Sequence, residues 1–157
     1  MELIGKPTVN PFLFYPGKAS VVAIVSAPFL AILFPYMFNQ EPPVWLVICA
    51  WIIYAASLLI VVVASMELGE SLRVGLPSGK TGLKTGGLYA ISRNPIYTVF
   101  YPLCLAVSVL APNPVVWMMS IFSLFVHHRI ILSEEKFLAN RFARKWKDYC
   151  RKVSRYA

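Results

Sequence analysis

VWLVICAWIIYAASLLIVVVASM, residues 44–66, contains no Asp, Glu, Lys, Arg or His and is longer than the roughly 20 apolar residues a bilayer-spanning helix needs. Its surroundings repeat the pattern. Ala19–Phe38 is a second such run, with Pro28 and Pro35 as expected kinks, and Ile96–Ala111 and Val115–Leu132 are two slightly shorter ones. Only Pro112-Asn113-Pro114 separates the last two, a turn that neither helix can cross, so they form a helical hairpin. Of the 157 residues 58% are hydrophobic and 14% charged, whereas a soluble domain is about half apolar and about a quarter charged. The reading is an all-α integral membrane protein of four transmembrane helices. No cleavable leader is expected, because the first apolar run starts only after Lys18 and a longer one follows it closely.

Charge sets the expected orientation. With four spans, all of the lysines and arginines fall on one side, from Lys6 and Lys18 through Arg73, Lys80, Lys84 and Arg93 to the run beyond Arg129. The other side carries Glu41 and two short turns. Positive residues mark the cytoplasmic face, so both termini and the loop 67–95 are expected in the cytoplasm, the membrane being the inner or plasma membrane if the host is prokaryotic. The net charge of +8 is then accounted for by anionic headgroups, and nucleic acid is not an expected partner. Cys49, Cys104 and Cys150 stand far apart without a CxxC, and the pair His127-His128 has no third ligand nearby. Neither a disulfide framework nor a metal site is expected.

Two cytoplasmic segments depart from a plain membrane anchor. The loop 67–95 is rich in glycine (Gly69, Gly75, Gly79, Gly82, Gly86, Gly87), which lets backbone approach a ligand closely and present N–H groups to it. The end of the fourth span reads HHRIILSEEKFLANRF, placing His127, His128, Arg129, Glu134 and Glu135 where hydrocarbon gives way to water. His128 and Glu135 fall two turns apart on one helix face, roughly 10 Å along the axis, and ionised groups at such depth usually face a protein interior or a water-filled cavity. Beyond them, Phe137, Leu138, Phe142, Trp146, Tyr149 and Val153 recur every three or four residues among basic ones, predicting a C-terminal amphipathic helix that either lies along the membrane or covers the site.

LKTGGLYAISRNPIYTVFYPL, a hairpin, then SEEKFLANRFARKWKDYCRKV: in this order the segments resemble the isoprenylcysteine carboxyl methyltransferase and phospholipid methyltransferase family of integral membrane enzymes. That family has G-x-Y-x-x-x-R-H-P-x-Y, a hairpin, and E-E followed by F-G-x-x-Y-x-x-Y. The resemblance covers roughly residues 67–155. Here Asn94 replaces the histidine, Ala143 the second glycine and Trp146 a tyrosine. The resemblance implies one membrane domain over 1–157, with two spans in 19–66 and a cofactor-binding region over 67–155. It implies S-adenosylmethionine as cofactor, held by Thr81, Gly82, Leu83, Lys84, Tyr89, Asn94 and Glu134. It further implies catalytic duties for Arg93 and Glu135, and acceptor contacts from Tyr97, His128 and Arg129. The family's substrate-orienting arginine aligns with Ile130. The acceptor is expected to be a lipophilic or lipidated molecule from the bilayer, a prenylcysteine carboxylate or an aminophospholipid headgroup.

The chemistry suits these residue types. Methyl transfer from a sulfonium is an in-line displacement that asks mainly for alignment, a carboxylate supplies charge-assisted hydrogen bonds to a cationic cofactor, and an aromatic face stacks with it. A Rossmann-type alternative lacks its G-x-G-x-x-G and its βαβ units. Two other readings remain open on sequence: an NADPH-dependent membrane reductase of the sterol type, and a non-catalytic membrane scaffold or lipid-binding protein.

Overall fold

The computed structural model describes residues 10–38, 41–69 and 82–156. Five helices follow in order: α1 (Pro11–Leu33), α2 (Val44–Leu68), α3 (Pro95–Thr98), α4 (Phe100–Leu110) and α5 (Pro114–Lys152). Single 3-10 turns occupy Pro35–Met37 and Gly87–Ala90. Among the described residues there is no β-strand, only an isolated bridge between Ser92 and Ser154.

α1 begins eight residues before the apolar run expected at Ala19, so Lys18 lies within the helix and not ahead of it. The start signal is local: the Asn10 side chain accepts from Phe12 N at 3.0 Å, and Pro11 occupies the first position, where a missing N–H costs nothing. Pro16 and Pro28 stay inside the helix. Pro28 lacks the N–H that would reach the Ile24 carbonyl, and beside it Tyr54 of α2 donates to the Val25 carbonyl at 2.6 Å. Pro35 opens the 3-10 turn that follows α1, so it ends the helix where a kink was expected.

Three helices, α1, α2 and α5, are long and apolar enough to cross a membrane. The expected third span is shorter, Pro95–Leu110, and is broken at Val99 between α3 and α4. Two hydrogen bonds fix its ends. Asn113 Nδ2 donates to the Met37 carbonyl at 2.9 Å, which puts the turn after α4 beside the α1–α2 connection. Leu88 N donates to Glu67 Oε2 at 2.9 Å, which puts the approach to α3 beside the other end of α2. The turn at 111–113 is as read: Asn113 caps α5 through Val115 N at 2.8 Å, and Pro114 follows.

α4 packs chiefly on α2, and α5 on α1. Between α1, α2 and α4 lies the main core, in which Ala27, Ala50, Ala106 and Ala111 let backbones close in around Ile24, Tyr54, Phe100, Leu103 and Val107. Large apolar side chains also cover the outer faces: Trp45, Ile48, Ile52 and Met66 on α2, and Met118, Ile121 and Phe125 on α5, are exposed. An apolar surface of that extent is solvated by lipid.

The amphipathic segment begins as a continuation of the last span and is then set off from it by a kink at Ala143. The part of α5 before the kink, 114–142, is roughly 43 Å long at 1.5 Å per residue, and hydrocarbon accounts for only about 30 Å. Its polar second half, from about Glu134, therefore projects beyond the bilayer. One residue interrupts it: Ala143 has φ 41° and ψ −107°. The turn there swings Trp146, Tyr149 and Val153 into a small cluster with Leu83.

Candidate active site

Glu134 and Glu135 are adjacent on α5, so their side chains leave the helix about 100° apart. Each meets a different part of the short segment that enters α3, and two polar clusters result.

Glu135, buried, faces Ser92-Arg93-Asn94. Its Oε1 accepts from Asn94 Nδ2 at 3.2 Å and pairs with Arg93 Nη2 at 3.3 Å, while its Oε2 accepts from Arg155 Nε at 3.0 Å and Nη2 at 2.8 Å. Both oxygens are thus engaged by two guanidinium groups and an amide. The C-terminal strand of chain is stitched to the same segment: Arg93 N donates to the Ser154 carbonyl at 3.0 Å and Ser92 Oγ to the Arg155 carbonyl at 3.1 Å. Arg93 lies over the Trp146 ring, 5.5 Å from its centroid, and donates to Cys150 Sγ. The hydrogen bonds from Arg155 to Glu135 hold its guanidinium pKa above the ordinary value. Asn94 binds Glu135 through an amide, which does not titrate.

Glu134, half-buried, faces α1 and α3. It accepts from Tyr97 Oη at 3.2 Å. Lys18 of α1 places its ammonium over two rings, 5.7 Å from the Tyr97 centroid and 5.8 Å from that of Phe14. Lys18 and Glu134 attract one another but stand too far apart for a direct ion pair. His127, buried, fills the space behind, its ring 5.8 Å from Tyr97 and 5.1 Å from Phe100, with Nδ1 2.7 Å from the Ser123 carbonyl.

Tyr89 closes this side. It sits buried in the 3-10 turn Gly87–Ala90, and its carbonyl accepts from Tyr149 Oη at 2.5 Å. Burial, followed by the negative charge of Glu67, raises the Tyr89 pKa well above that of a free phenol, so the hydroxyl stays protonated. The turn depends on Gly87, whose φ is +59°, and a Cβ there would collide with the Glu67 carboxylate.

The remaining sequence-predicted residues fall as follows. Thr81 lies outside the described residues. Gly82 and Lys84 are exposed in extended chain, and Leu83 packs against the Trp146 cluster. His128 Nδ1 is 2.7 Å from Tyr156 Oη, whose pKa is raised chiefly by burial. Arg129 is exposed and has no ion pair or hydrogen bond among the described residues. Ile130, the position of the family's arginine, is fully buried. No group of three or more potential metal ligands occurs among the described residues. Sequence reasoning missed Lys18, Glu67 and Arg155. Asn10-Pro11 announces a helix start early enough to carry Lys18 inside it, but nothing local in the sequence pairs Glu67 with Leu88 or Arg155 with Glu135.

Comparison with known proteins identifies a family. The sequence model of the phospholipid methyltransferase family matches residues 45–145, more than half of the chain, and takes in α2, the segment through Tyr89, Arg93 and Asn94, and both glutamates. The comparisons with curated proteins and with solved structures return no match. A methyltransferase family, apolar helices of spanning length and a paired-glutamate site at one end of them describe one kind of molecule: the chain is an integral membrane protein and belongs to the phospholipid methyltransferase family.

Proposed function

We propose that the chain transfers a methyl group from S-adenosylmethionine to a lipophilic acceptor, a prenylcysteine-like carboxylate or an aminophospholipid headgroup, at the cytoplasmic face of the membrane. The observation that carries this reading is Glu134, a half-buried carboxylate held by Tyr97 beside the Tyr89 turn, inside the region matched by the family. The donor set suits a cation with an adenine: two carboxylates, Glu134 and Glu67, and two aromatic faces, Tyr89 and Tyr97, converge without a metal-type cluster among the described residues. Extended chain at Gly82–Gly86 adds room, since a Cβ at either glycine would meet no atom within 4 Å.

The cofactor supplies an electrophilic methyl on a sulfonium. Glu134 binds its cationic or hydroxyl-bearing part, with Thr81, Gly82, Leu83 and Lys84 contributing backbone contacts and Tyr89 an aromatic wall. Arg93 and Asn94 are set in place by Glu135, so the catalytic duty of Arg93 and Glu135 is to hold the frame against which the reactants align. Tyr97 and His128 border the side from which an acceptor enters. The end with Glu67 and Glu134 faces the cytoplasm, a reading supported by its basic residues.

The test is calorimetric titration of S-adenosylhomocysteine into the detergent-purified protein, with NADPH in parallel. Saturable binding of the homocysteine compound is expected, about ten- to hundred-fold weaker in Glu134→Gln, the worth of one charge-assisted contact. Binding of NADPH alone, or of neither compound, overturns the proposal.

A further inference from the structure

α1 carries a single charged residue, Lys18, and its setting is not that of a snorkelling side chain at a helix end. Around it on the helix, Phe14 is buried, while Tyr15 and Val22 are exposed to lipid. Lys18 thus stands at the seam between the protein interior and the bilayer. Its ammonium is held between the Phe14 and Tyr97 rings. α1 is pinned at this height, because Gly17 packs so closely on α5 that a Cβ there would come within 2.5 Å of Val126 Cγ1. Neither ring is an acceptor for its three N–H donors, Glu134 is beyond direct pairing, and the described residues offer it no hydrogen bond. A cation fixed at membrane depth in that state marks a pathway for a charged substrate. On α5, Arg129 is exposed and Ile130 is buried.

We propose that Lys18 is the specificity-determining residue that grips the anionic group of the lipid acceptor, a phosphodiester in the favoured case, as the lipid enters from the bilayer between α1 and α5. This rests on the methyltransferase reading for the identity of the site, but not for the binding itself. A phosphate oxygen takes the ammonium's hydrogen bonds, Phe14 and Tyr97 bracket the contact, and the rest of the headgroup points toward Tyr97 and Glu134. Free phosphate offers the same oxygens without the acyl chains that reach the seam along Tyr15 and Val22.

Binding by calorimetry to the full-length, detergent-purified chain tests this. The probes are dihexanoyl phosphatidylethanolamine, octylamine as a phosphate-free amine, and inorganic phosphate, with S-adenosylhomocysteine titrated on each sample. The wild type is expected to bind the phospholipid in preference to octylamine and free phosphate. Lys18→Met should weaken phospholipid binding about ten-fold or more, the worth of a hydrogen-bonded charge. It should leave octylamine unchanged and weaken the homocysteine compound far less than the phospholipid, and Lys18→Arg should restore the phospholipid. Equal phospholipid binding by wild type and Lys18→Met overturns the proposal, as does binding of free phosphate as tight as that of the lipid. Loss of the homocysteine compound together with the lipid also overturns it, because Lys18 would then serve Glu134. Lys18-dependent lipid binding in a chain that binds no homocysteine compound would sustain the role of Lys18 and remove the methyltransferase reading.

Discussion

Ala143 is the residue whose conformation contradicts its type. At φ 41° and ψ −107° a side chain crowds its own backbone, a state that glycine enters freely and that costs an L-residue about 1–2 kcal/mol. The same position is glycine in the family that the sequence resembles, so a departure visible as a letter becomes a strained bond. Ala143→Gly is expected to stabilise the protein by about 1 kcal/mol, read as a rise in the thermal midpoint in detergent; an unchanged or lowered midpoint would show that the turn is not strained. Single residues were legible where chemistry is local. Asn113 and Pro114 could be read from neighbours alone, and they open α5 as their chemistry requires. Arg155 could not, because its partner Glu135 lies 20 residues away and only the reversal at Ala143 brings the two together. Glu67 escaped for a similar reason: it meets Leu88, 21 residues on, across sequence with no periodic pattern.

At the scale of elements, the hydrophobic run over 44–66 located α2 well, because lipid demands a long unbroken stretch and leaves few alternatives. Such runs located α1 and α5 poorly at the polar ends. A helix does not stop where apolar residues stop, and both continue into charged sequence as long as the backbone hydrogen bonds can. How α1 and α5 seat against each other rests on one small residue. Gly17 lets α1 lie against Val126, a side chain that is itself buried and stiff at χ1. On helix propensity alone Gly17→Ala would gain about 1 kcal/mol; against the stiff Val126 side chain it is expected to cost about 1–3 kcal/mol, as overpacking does. Thermal unfolding of Gly17→Ala, and of the same variant with Val126→Ala, measures the difference. Destabilisation that the second change does not relieve would locate the cost elsewhere than in this contact.

For the whole molecule, the hydrogen bonds of Asn113 to Met37 and of Leu88 to Glu67 sort the connections into two ends. The 3-10 turn Pro35–Met37 and the turn at 111–113 share one, and the glutamates share the other with the C-terminal segment. Cysteine placed at Glu41 is expected to react with a membrane-impermeant maleimide added outside intact cells, and cysteine at Ser154 only after permeabilisation, in a background whose Cys49, Cys104 and Cys150 are replaced by serine or alanine. Labelling of both from the same side would refute the arrangement. α5 adds a dimension to this layout. From Pro114, at the far turn, to Glu134 is twenty residues of continuous helix, roughly 30 Å, and the oily layer measures about 30 Å. The helix is therefore a dipstick with its mark at the carboxylates. Lengthen the acyl chains and the mark sinks below the headgroups; shorten them and it stands clear in water, unless tilt or local thinning absorbs the mismatch. For the proposed lipid acceptor, acyl composition and not headgroup chemistry alone is then expected to govern whether its reactive end and the glutamates meet at one depth.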